Sequence, residues 1–238
     1  MRRTRLLLLS LWLCAALTCL LNSASRAADG SQCEPGFVSL FDGKTLDGWV
    51  GLNDDKSSYY AQDGMLICKE TGKVHLFSQK EYGNFVLRLQ IKLDPGANNG
   101  VGVRTKITKV PHLEGMELQV LDDPFYVHGI PRPEKDPKDW TPLKDYQHHG
   151  SVYGVVPART GHLRPTGEWN DEEVTCNGSQ LTVKLNAAVI VDCDLHKVQP
   201  IDGHEHPGLF YEKGHIGLHA HGGYGAKVYF RNLRIKEL

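Results

Sequence analysis

The chain has 238 residues, which suits one or two domains, and a formal net charge of −1. Its 27 Lys and Arg residues form no basic block, which argues against a nucleic-acid-binding protein. No cysteine after residue 27 belongs to a CxxC pair, which argues against a structural zinc site.

The N-terminus has the layout of a secretory signal peptide. Three arginines within the first five residues precede an apolar run over 6–21, and Ser25-Arg26-Ala27 fits a small-x-small cleavage site. The alternative is a membrane anchor, but the run is shorter than the roughly 20 residues that span a bilayer. We therefore predict a signal peptide over 1–27 and a secreted or periplasmic protein with no membrane span after its removal.

Removal of the signal peptide leaves an acidic chain. It takes away four of the 27 Lys and Arg residues and none of the 28 Asp and Glu residues, so the net charge becomes −5. We divide this chain into an N-terminal segment, 28–35, and one domain over 36–238. The domain is long enough to bury a sizeable core.

Alternation of apolar and polar residues dominates the domain, and helical periodicity is absent. In 81–93 every second residue from Phe85 to Leu93 is apolar, which is typical of a strand with one buried face. Further strands are predicted at 100–105, 115–123, 150–158, 215–221 and 226–238, and three more within 172–193. About ten short strands indicate an all-β protein, a two-sheet antiparallel β-sandwich or jelly roll. Its predicted core contains Leu87, Leu89, Ile91, Leu118, Val183, Val191, Ile216, Leu218 and Phe230.

The segment 172–193 is predicted to be a three-strand meander, with the turn Asn177-Gly178 after its first strand. Cys176 and Cys193 then lie two strand spacings apart, about 9.6 Å, beyond the ~7 Å limit for a disulfide. We expect them not to pair, and any disulfide to join Cys33 to Cys68. In the last strand the alternation slips, which predicts a bulge near Arg231-Asn232.

The stretch 122–149 interrupts the strand pattern and contains five prolines. A structureless stretch of this length inside a domain is usually functional, so we interpret it as a loop that walls a binding site. It begins at Asp122, which is predicted either to contact a substrate or to cap a turn.

Three of the predicted strands carry polar residues suited to catalysis. Glu117 and Gln119 share the polar face of 115–121, where glucanase-like strands place carboxylates; a solvated face is the alternative. Arg104 lies on the predicted polar face of 100–105, opposite Val101 and Val103. Its guanidinium suits a keto or enolate oxygen, and the alternative is that it forms an ion pair at the surface. If 100–105 pairs with 115–121, the three side chains are neighbours.

The strand 215–221 presents His215, His219 and His221 on one face together with Gly217. Imidazoles at alternate positions of a strand reach a common point, as metal ligands or an acid–base pair require, unless the row is simply solvated. Two aromatic residues are candidates for sugar contacts, Tyr153 and Trp169. Core packing is the alternative for Trp169.

Several stretches in order resemble the 3-keto-disaccharide hydrolase domain, also described as a 3-keto-glycoside lyase/hydratase domain. They are GFVSLFDGKTLDGW (36–49), EYGNFVLRLQIKL (81–93), PGANNGVGVRT (95–105), GMELQVLDD (115–123), GEWN (167–170), LTVKLN (181–186) and HIGLHAHGGYGAKVYFRNLRI (215–235). The resemblance implies a concanavalin-like sandwich with a polar sheet face toward a sugar. The chain has Leu-His-Ala-His at 218–221, where the family has a Gln-Asp-His run.

The resemblance also implies an enzyme that acts on 3-keto-glycosides by elimination and hydration, or by net hydrolysis. Glu117 or a histidine would be the base, and Arg104, His219 and His221 would hold the oxyanion directly or through a divalent metal. Predicted substrate contacts are Gln119, Tyr153, Trp169 and Asp122. No other cofactor is implied. The alternatives are a non-catalytic carbohydrate-binding module and an envelope interaction protein on the same fold.

Overall fold

The computed structural model describes residues 34–132, 134–222 and 225–238. The predicted signal peptide and Cys33 lie outside these residues. Within them, thirteen strands account for most of the regular structure: β1 Val38–Ser39, β2 Trp49–Gly51, β3 Tyr59–Gln62, β4 Met65–Cys68, β5 Leu76–Tyr82, β6 Phe85–Leu93, β7 Asn98–Thr105, β8 Glu117–Leu121, β9 Trp169–Asn177, β10 Gln180–Leu185, β11 Ala188–Asp194, β12 Gly214–Ala220 and β13 Val228–Glu237.

Helical structure in the described residues is limited to single turns. The α-helix α1 spans Pro111–Glu114, and short 3-10 helices span Leu52–Asp54, Asp123–Tyr126, Pro137–Asp139, Asp145–Gln147 and Pro207–Phe210. No helix in this part of the chain is long and apolar enough to cross a membrane.

The strands form two antiparallel sheets. The larger sheet has eight strands in the order β11-β10-β9-β6-β13-β4-β3, with β1 paired to β13, and the smaller has the order β2-β5-β12-β7-β8. The predicted pairing of 100–105 with 115–121 is confirmed, and the strand 215–221 enters the same sheet on the other side of β7.

One core fills the space between the sheets, as the alternation predicts. All nine residues predicted to be buried have at most 3% of their surface exposed and belong to one apolar cluster. On β6 every second side chain points inward, from Phe85 to Leu93, while the intervening residues are partly exposed. The two-sheet sandwich is therefore the observed architecture.

The predicted meander of 172–193 is present as β9, β10 and β11. Leu181 on the middle strand pairs with Cys176 on one side and with Cys193 on the other. The two thiols are free, and the prediction that they do not pair is confirmed. The proposed Cys33–Cys68 pairing includes a residue outside the described ranges.

Register shifts interrupt several of the strand pairings, and two of them concern residues discussed above. The predicted one lies in β13 opposite β6, where the register shifts between Arg231 and Arg234 and Asn232 has φ +53°. The second was not predicted: opposite Ile216, β7 has an extra residue, and Arg104 has φ +48°. A bulge reverses the parity of the residues beyond it.

The segment 150–158 is a series of turns, and its prediction as a strand is wrong. Its regular pairing is limited to isolated bridges from Val152 to Leu118 and Val156. The segment nevertheless follows the free edge of β8, because Gln119 N donates to Ser151 O and Tyr153 N donates to Glu117 O. This places Tyr153 beside Glu117.

Candidate active site

The site forms on the face of the smaller sheet that points away from the core, where β8, β7 and β12 lie side by side. Gly102 of β7 pairs with Glu117 of β8 and with Gly217 of β12. A Cβ on Gly100 would lie 2.4 Å from Cδ of Glu117, and one on Gly102 would lie 2.4 Å from Nε2 of His219. The glycines of β7 therefore give these two side chains room to lie close to the backbone.

Glu117 bridges two imidazoles. Its Oε2 lies 2.5 Å from Nδ1 of His219, and its Oε1 lies 3.2 Å from Nε2 of His221. Glu117 and His219 are both buried, whereas the His221 side chain is 27% exposed. The structure thus brings three predicted site residues together, and only His221 is open to solvent.

The electrostatics of this cluster favour an ionised carboxylate. Burial by itself raises the pKa of Glu117, but the nearby His221 and His219 outweigh it and hold the pKa of Glu117 well below its usual value. Burial lowers the pKa of His221, and the Glu117 charge outweighs this effect, so the pKa of His221 is raised. Both imidazoles therefore donate an N–H to the carboxylate.

The hydrogen bonds of His221 leave one ring nitrogen available for chemistry. An imidazole that donates its Nε2–H to a carboxylate presents Nδ1 as its proton acceptor. No described residue hydrogen-bonds to this Nδ1. His219 differs, because its free Nε2 is buried against the glycines and has no described partner.

His75, which the sequence did not single out, packs against both imidazoles. Its ring centroid lies 5.4 Å from that of His219 and 6.1 Å from that of His221. Ala220 N donates to its Nδ1 and its Nε2 faces Lys109 O, a pattern that requires a neutral ring. Burial, aided by the two neighbouring histidines, lowers the pKa of His75 to about 4.

A pocket of about 170 Å³ opens beside the cluster, lined by Asn98, His112, Glu117, Gln119, Tyr153 and His221. Two of its buried polar atoms have no described partner, Nδ1 of His112 and Oε1 of Gln119. Burial lowers the pKa of His112, so this ring is neutral near pH 7. Unpartnered buried polar atoms are rare in folded proteins, and here both belong to residues that line one cavity.

The proline-rich stretch 122–149 reaches this pocket only at its end. The ring of Tyr146 packs against Tyr153 at 5.6 Å, and Nε2 of Gln147 donates to the Tyr153 hydroxyl at 3.4 Å. None of the described residues of this stretch lines the pocket. Its contact with the pocket is therefore indirect, through Tyr153.

Arg104 does not join the cluster, contrary to the predicted convergence. Because of the bulge, its guanidinium binds the carbonyls of Gly83, Gly178 and Tyr211 and the side-chain oxygen of Asn84. The parity of a regular strand cannot predict this orientation. In this position the guanidinium ties three loops together.

His215, Asp122 and Trp169 also lie away from the pocket. His215 hydrogen-bonds to Ser78 O at 2.7 Å. Asp122 is buried and accepts from Gly96 N and the Thr166 hydroxyl, so its side chain links two other segments and does not cap the 3-10 helix Asp123–Tyr126 that follows it.

Trp169 lies on the outer face of the larger sheet rather than in the core. Its ring is flanked by the cations of Lys92 and Arg231, at 5.3 and 4.0 Å from the ring centroid. Gln119 and Tyr153 are thus the two predicted substrate contacts that line the pocket.

The described residues contain no group of three His, Cys, Asp or Glu side chains arranged to hold a metal ion. In the cluster, both Glu117 oxygens accept hydrogen bonds from imidazoles. A divalent metal at this site stays a prediction.

Three lining or supporting residues were missed by the sequence analysis: His75, Asn98 and His112. His75 precedes β5, and His112 lies in α1, so neither falls on an alternating strand pattern. Asn98 is the first residue of β7 and precedes the predicted strand 100–105.

Comparisons with known proteins agree with this architecture. Residues 36–236 match the model of the 3-keto-alpha-glucoside-1,2-lyase-like domain family. A 3-keto-disaccharide hydrolase of Bacteroides thetaiotaomicron is 24% identical, over 85% of this chain and 79% of that protein.

Solved structures from Parabacteroides distasonis show the same fold. One, described as a candidate glycosyl hydrolase, is 28% identical with a TM-score of 0.69, and the match covers 85% of this chain and 99% of that one. A second is 24% identical with a TM-score of 0.67, covering 85% of this chain and 94% of that one.

Proposed function

Because the chain belongs to the 3-keto-alpha-glucoside-1,2-lyase-like domain family, we propose that it is an enzyme that cleaves the C1–O bond of 3-keto-glycosides. The observation that carries this proposal is the buried Glu117 carboxylate bound to a partly exposed His221 at a small polar pocket. A carboxylate–imidazole pair of this kind suits proton transfer near neutral pH.

The reaction begins with removal of the C2 proton, which the C3 ketone makes acidic. His221 Nδ1 takes this proton, and the C–H electron pair forms an enolate with its charge on the C3 oxygen. Collapse of the enolate restores the ketone, forms a C1–C2 double bond and breaks the C1–O bond. The departing oxygen takes a proton from a general acid.

Water then adds to the unsaturated ketone, with its hydroxyl going to C1 and a proton going to C2. The sum of elimination and hydration is hydrolysis. Both halves need the same acid–base groups in reverse order, so one imidazole serves twice.

Glu117 is a positioning residue in this scheme. It fixes the tautomer of His221 and stabilises the imidazolium that forms, as carboxylates do for catalytic imidazoles. The pocket also offers the Tyr153 hydroxyl as a general acid and the amide of Asn98 as a donor to the enolate oxygen. With Arg104 held elsewhere, these neutral donors take the role that the sequence assigned to a guanidinium.

The test is incubation of the purified mature chain with a 3-keto-disaccharide in D₂O, followed by proton NMR. We expect release of the leaving sugar and deuterium at C2 of the keto sugar, because the base exchanges this proton. The parent disaccharide without the ketone should not react.

His221→Asn should lower turnover by about 10²–10⁴-fold, the usual contribution of a general base. The matched control is His204→Asn, since His204 is exposed and does not line the pocket. Binding of the keto sugar without turnover would contradict the proposal and favour a binding module.

We also propose that the protein acts outside the cytoplasm, in the periplasm or after secretion. The support is the basic start, apolar run and cleavage site of residues 1–27. A substrate would then be a glycoside already oxidised at C3 before it meets this enzyme.

A further inference from the structure

Two amide side chains lie next to each other at the pocket, one on each of two paired strands. Asn98 is the first residue of β7, and Gln119 lies on β8, where Asn98 pairs with Leu121 and Gly100 pairs with Gln119. Gln119 is only 4% exposed, although its side chain lines the cavity. Its burial means that it has little access to bulk water.

The amides are bonded to each other. Nε2 of Gln119 donates to Oδ1 of Asn98 at 3.2 Å. This leaves Oε1 of Gln119 as an acceptor with no described partner, and Nδ2 of Asn98 as a donor. If both amides were turned over together, the pair would still offer one donor and one acceptor, so this pattern does not depend on their orientation.

A donor beside an acceptor matches a hydroxyl group, which has one proton to give and lone pairs to accept with. A ketone oxygen can only accept, so it leaves the amide acceptor unpaired. The volume of the cavity, about 170 Å³, is smaller than the ~300–1,000 Å³ usual for drug-sized ligands. This favours a pocket that holds one sugar ring of the substrate rather than several.

We propose that the Asn98–Gln119 pair binds one of the two hydroxyls that flank the ketone of the substrate ring, and that it selects for sugars that keep this hydroxyl. This inference rests on the proposed function. A site with buried groups that hydrogen-bond a hydroxyl discriminates strongly against an analogue that lacks it, because those groups are left unpaired.

The experiment measures binding without chemistry. A 3-keto sugar with a carbon-linked aglycone cannot eliminate, and its 2-deoxy and 4-deoxy forms each lack one flanking hydroxyl. Calorimetry on the full mature chain should show at least tenfold weaker binding for one of the two deoxy forms. Gln119→Met, which keeps the side-chain length, should bring that ratio below threefold.

Gln180→Met is the matched control, because Gln180 is exposed on β10 of the other sheet, and it should keep the wild-type ratio. Gln119→Glu is a second variant, which retains an acceptor and loses the donor to Asn98. Thermal unfolding of each variant establishes that it is folded.

Two results would overturn the inference, and they differ from each other. If the wild type and Gln119→Met show the same ratio of affinities for the deoxy and parent ligands, and the wild type cleaves the keto-disaccharide, the amide pair does not recognise the hydroxyl. The proposed function is then unaffected. Failure of the wild type to bind or cleave any 3-keto sugar removes both.

Discussion

Glu117 and His219 face each other across β7, with Oε2 of the carboxylate 2.5 Å from Nδ1 of the imidazole and neither side chain more than 1% exposed. Removing a charged pair from water is costly unless its hydrogen bonds are well made. The contact therefore contributes to packing as well as to acid–base chemistry, and this changes what a substitution at Glu117 should do.

Glu117→Gln should lower both turnover and stability. Loss of one partner from a buried pair destabilises by about 3–5 kcal/mol, and the amide retains part of the hydrogen bonding, so we expect on the order of 3 kcal/mol. For a chain of this size that is a fall in Tm of roughly 6–12 °C. Scanning calorimetry measures it, with the exposed Glu168→Gln as the control. An unchanged Tm would show that the pair is not structural.

The pH dependence follows from two shifted groups. The stabilisation from the raised pKa of His221 is complete below the ordinary histidine value of about 6.5 and is lost as pH rises through the folded value. That from the lowered pKa of Glu117 is complete above about 4.3 and is lost as pH falls through the folded value.

The Tm should therefore be highest between about pH 4.3 and 6.5, while kcat/KM should rise with pH as His221 loses its proton. His221→Asn should flatten the alkaline decline in Tm, and His204→Asn should keep the wild-type curve. An alkaline decline that survives in His221→Asn would assign the effect to another group.

Arg104→Lys should affect stability and leave catalysis intact. The guanidinium binds four acceptors, and a lysine ammonium cannot satisfy acceptors spread around a planar fork. Acceptors left unpaired cost about 1–3 kcal/mol, measurable by urea unfolding. Arg159→Lys, at an exposed position, is the control. A fall in kcat/KM at temperatures where the variant is folded would show that Arg104 contributes to catalysis, as the sequence predicted.

A second buried pair, His149 and Glu172, should be purely structural. Nε2 of His149 lies 3.2 Å from Oε2 of Glu172, Leu121 N donates to its Nδ1, and the two side chains are at most 1% exposed. His149→Ala leaves Oε2 of the buried Glu172 without this hydrogen bond, so we expect a loss of about 1–3 kcal/mol in urea unfolding, with kcat/KM unchanged for the folded protein. The double change His149→Leu with Glu172→Leu should recover much of this stability. No recovery would mean that each side chain acts separately.

Export predicts a defined mature N-terminus. Cleavage after Ala27 leaves Ala28 as the first residue, because Ser25 and Ala27 occupy the small positions of the site. N-terminal sequencing of the protein recovered from the periplasm or medium tests this. Retention of residues 1–27 on membrane-bound protein would support the anchor instead.

The sequence predicted the sandwich well because alternation reports burial directly. Leu87, Leu118 and Phe230 could be assigned to the core from neighbours two residues away, without knowledge of the strand order. The same parity correctly grouped Glu117 and Gln119 on one face. Glu117, Leu118 and Gln119 lie on a strand that pairs regularly with β7, and Phe230 precedes the register shift in β13.

Assigning side chains to a face by their alternation along the strand failed where a strand departs from regular pairing. Arg104 lies at the bulge of β7 opposite Ile216, and its guanidinium binds loop carbonyls instead of entering the pocket. His215, at the end of β12, hydrogen-bonds to Ser78 O and does not line the pocket. The bulge in β13 interrupts a long alternation and could be predicted, whereas the extra residue of β7 lies at the end of its strand, where no further alternating residues reveal a slip. A positive φ at an arginine has no sequence signal like that of glycine. His75 and His112 were missed for another reason: they reach the site through tertiary packing from short elements.

Two glycines of β7 determine how close Glu117 and His219 lie to the backbone of the sheet. At Gly100 and Gly102 the floor under Glu117 and His219 is peptide backbone, held on both edges by ladder hydrogen bonds to β8 and β12. Peptide units in the middle of a sheet move less than side chains do. The distance of the carboxylate from the sheet is thus set by rigid backbone and not by side chains that could change rotamer. An alanine at either glycine would push Glu117 or His219 away from the sheet toward solvent, although the catalytic side chains themselves would be unchanged.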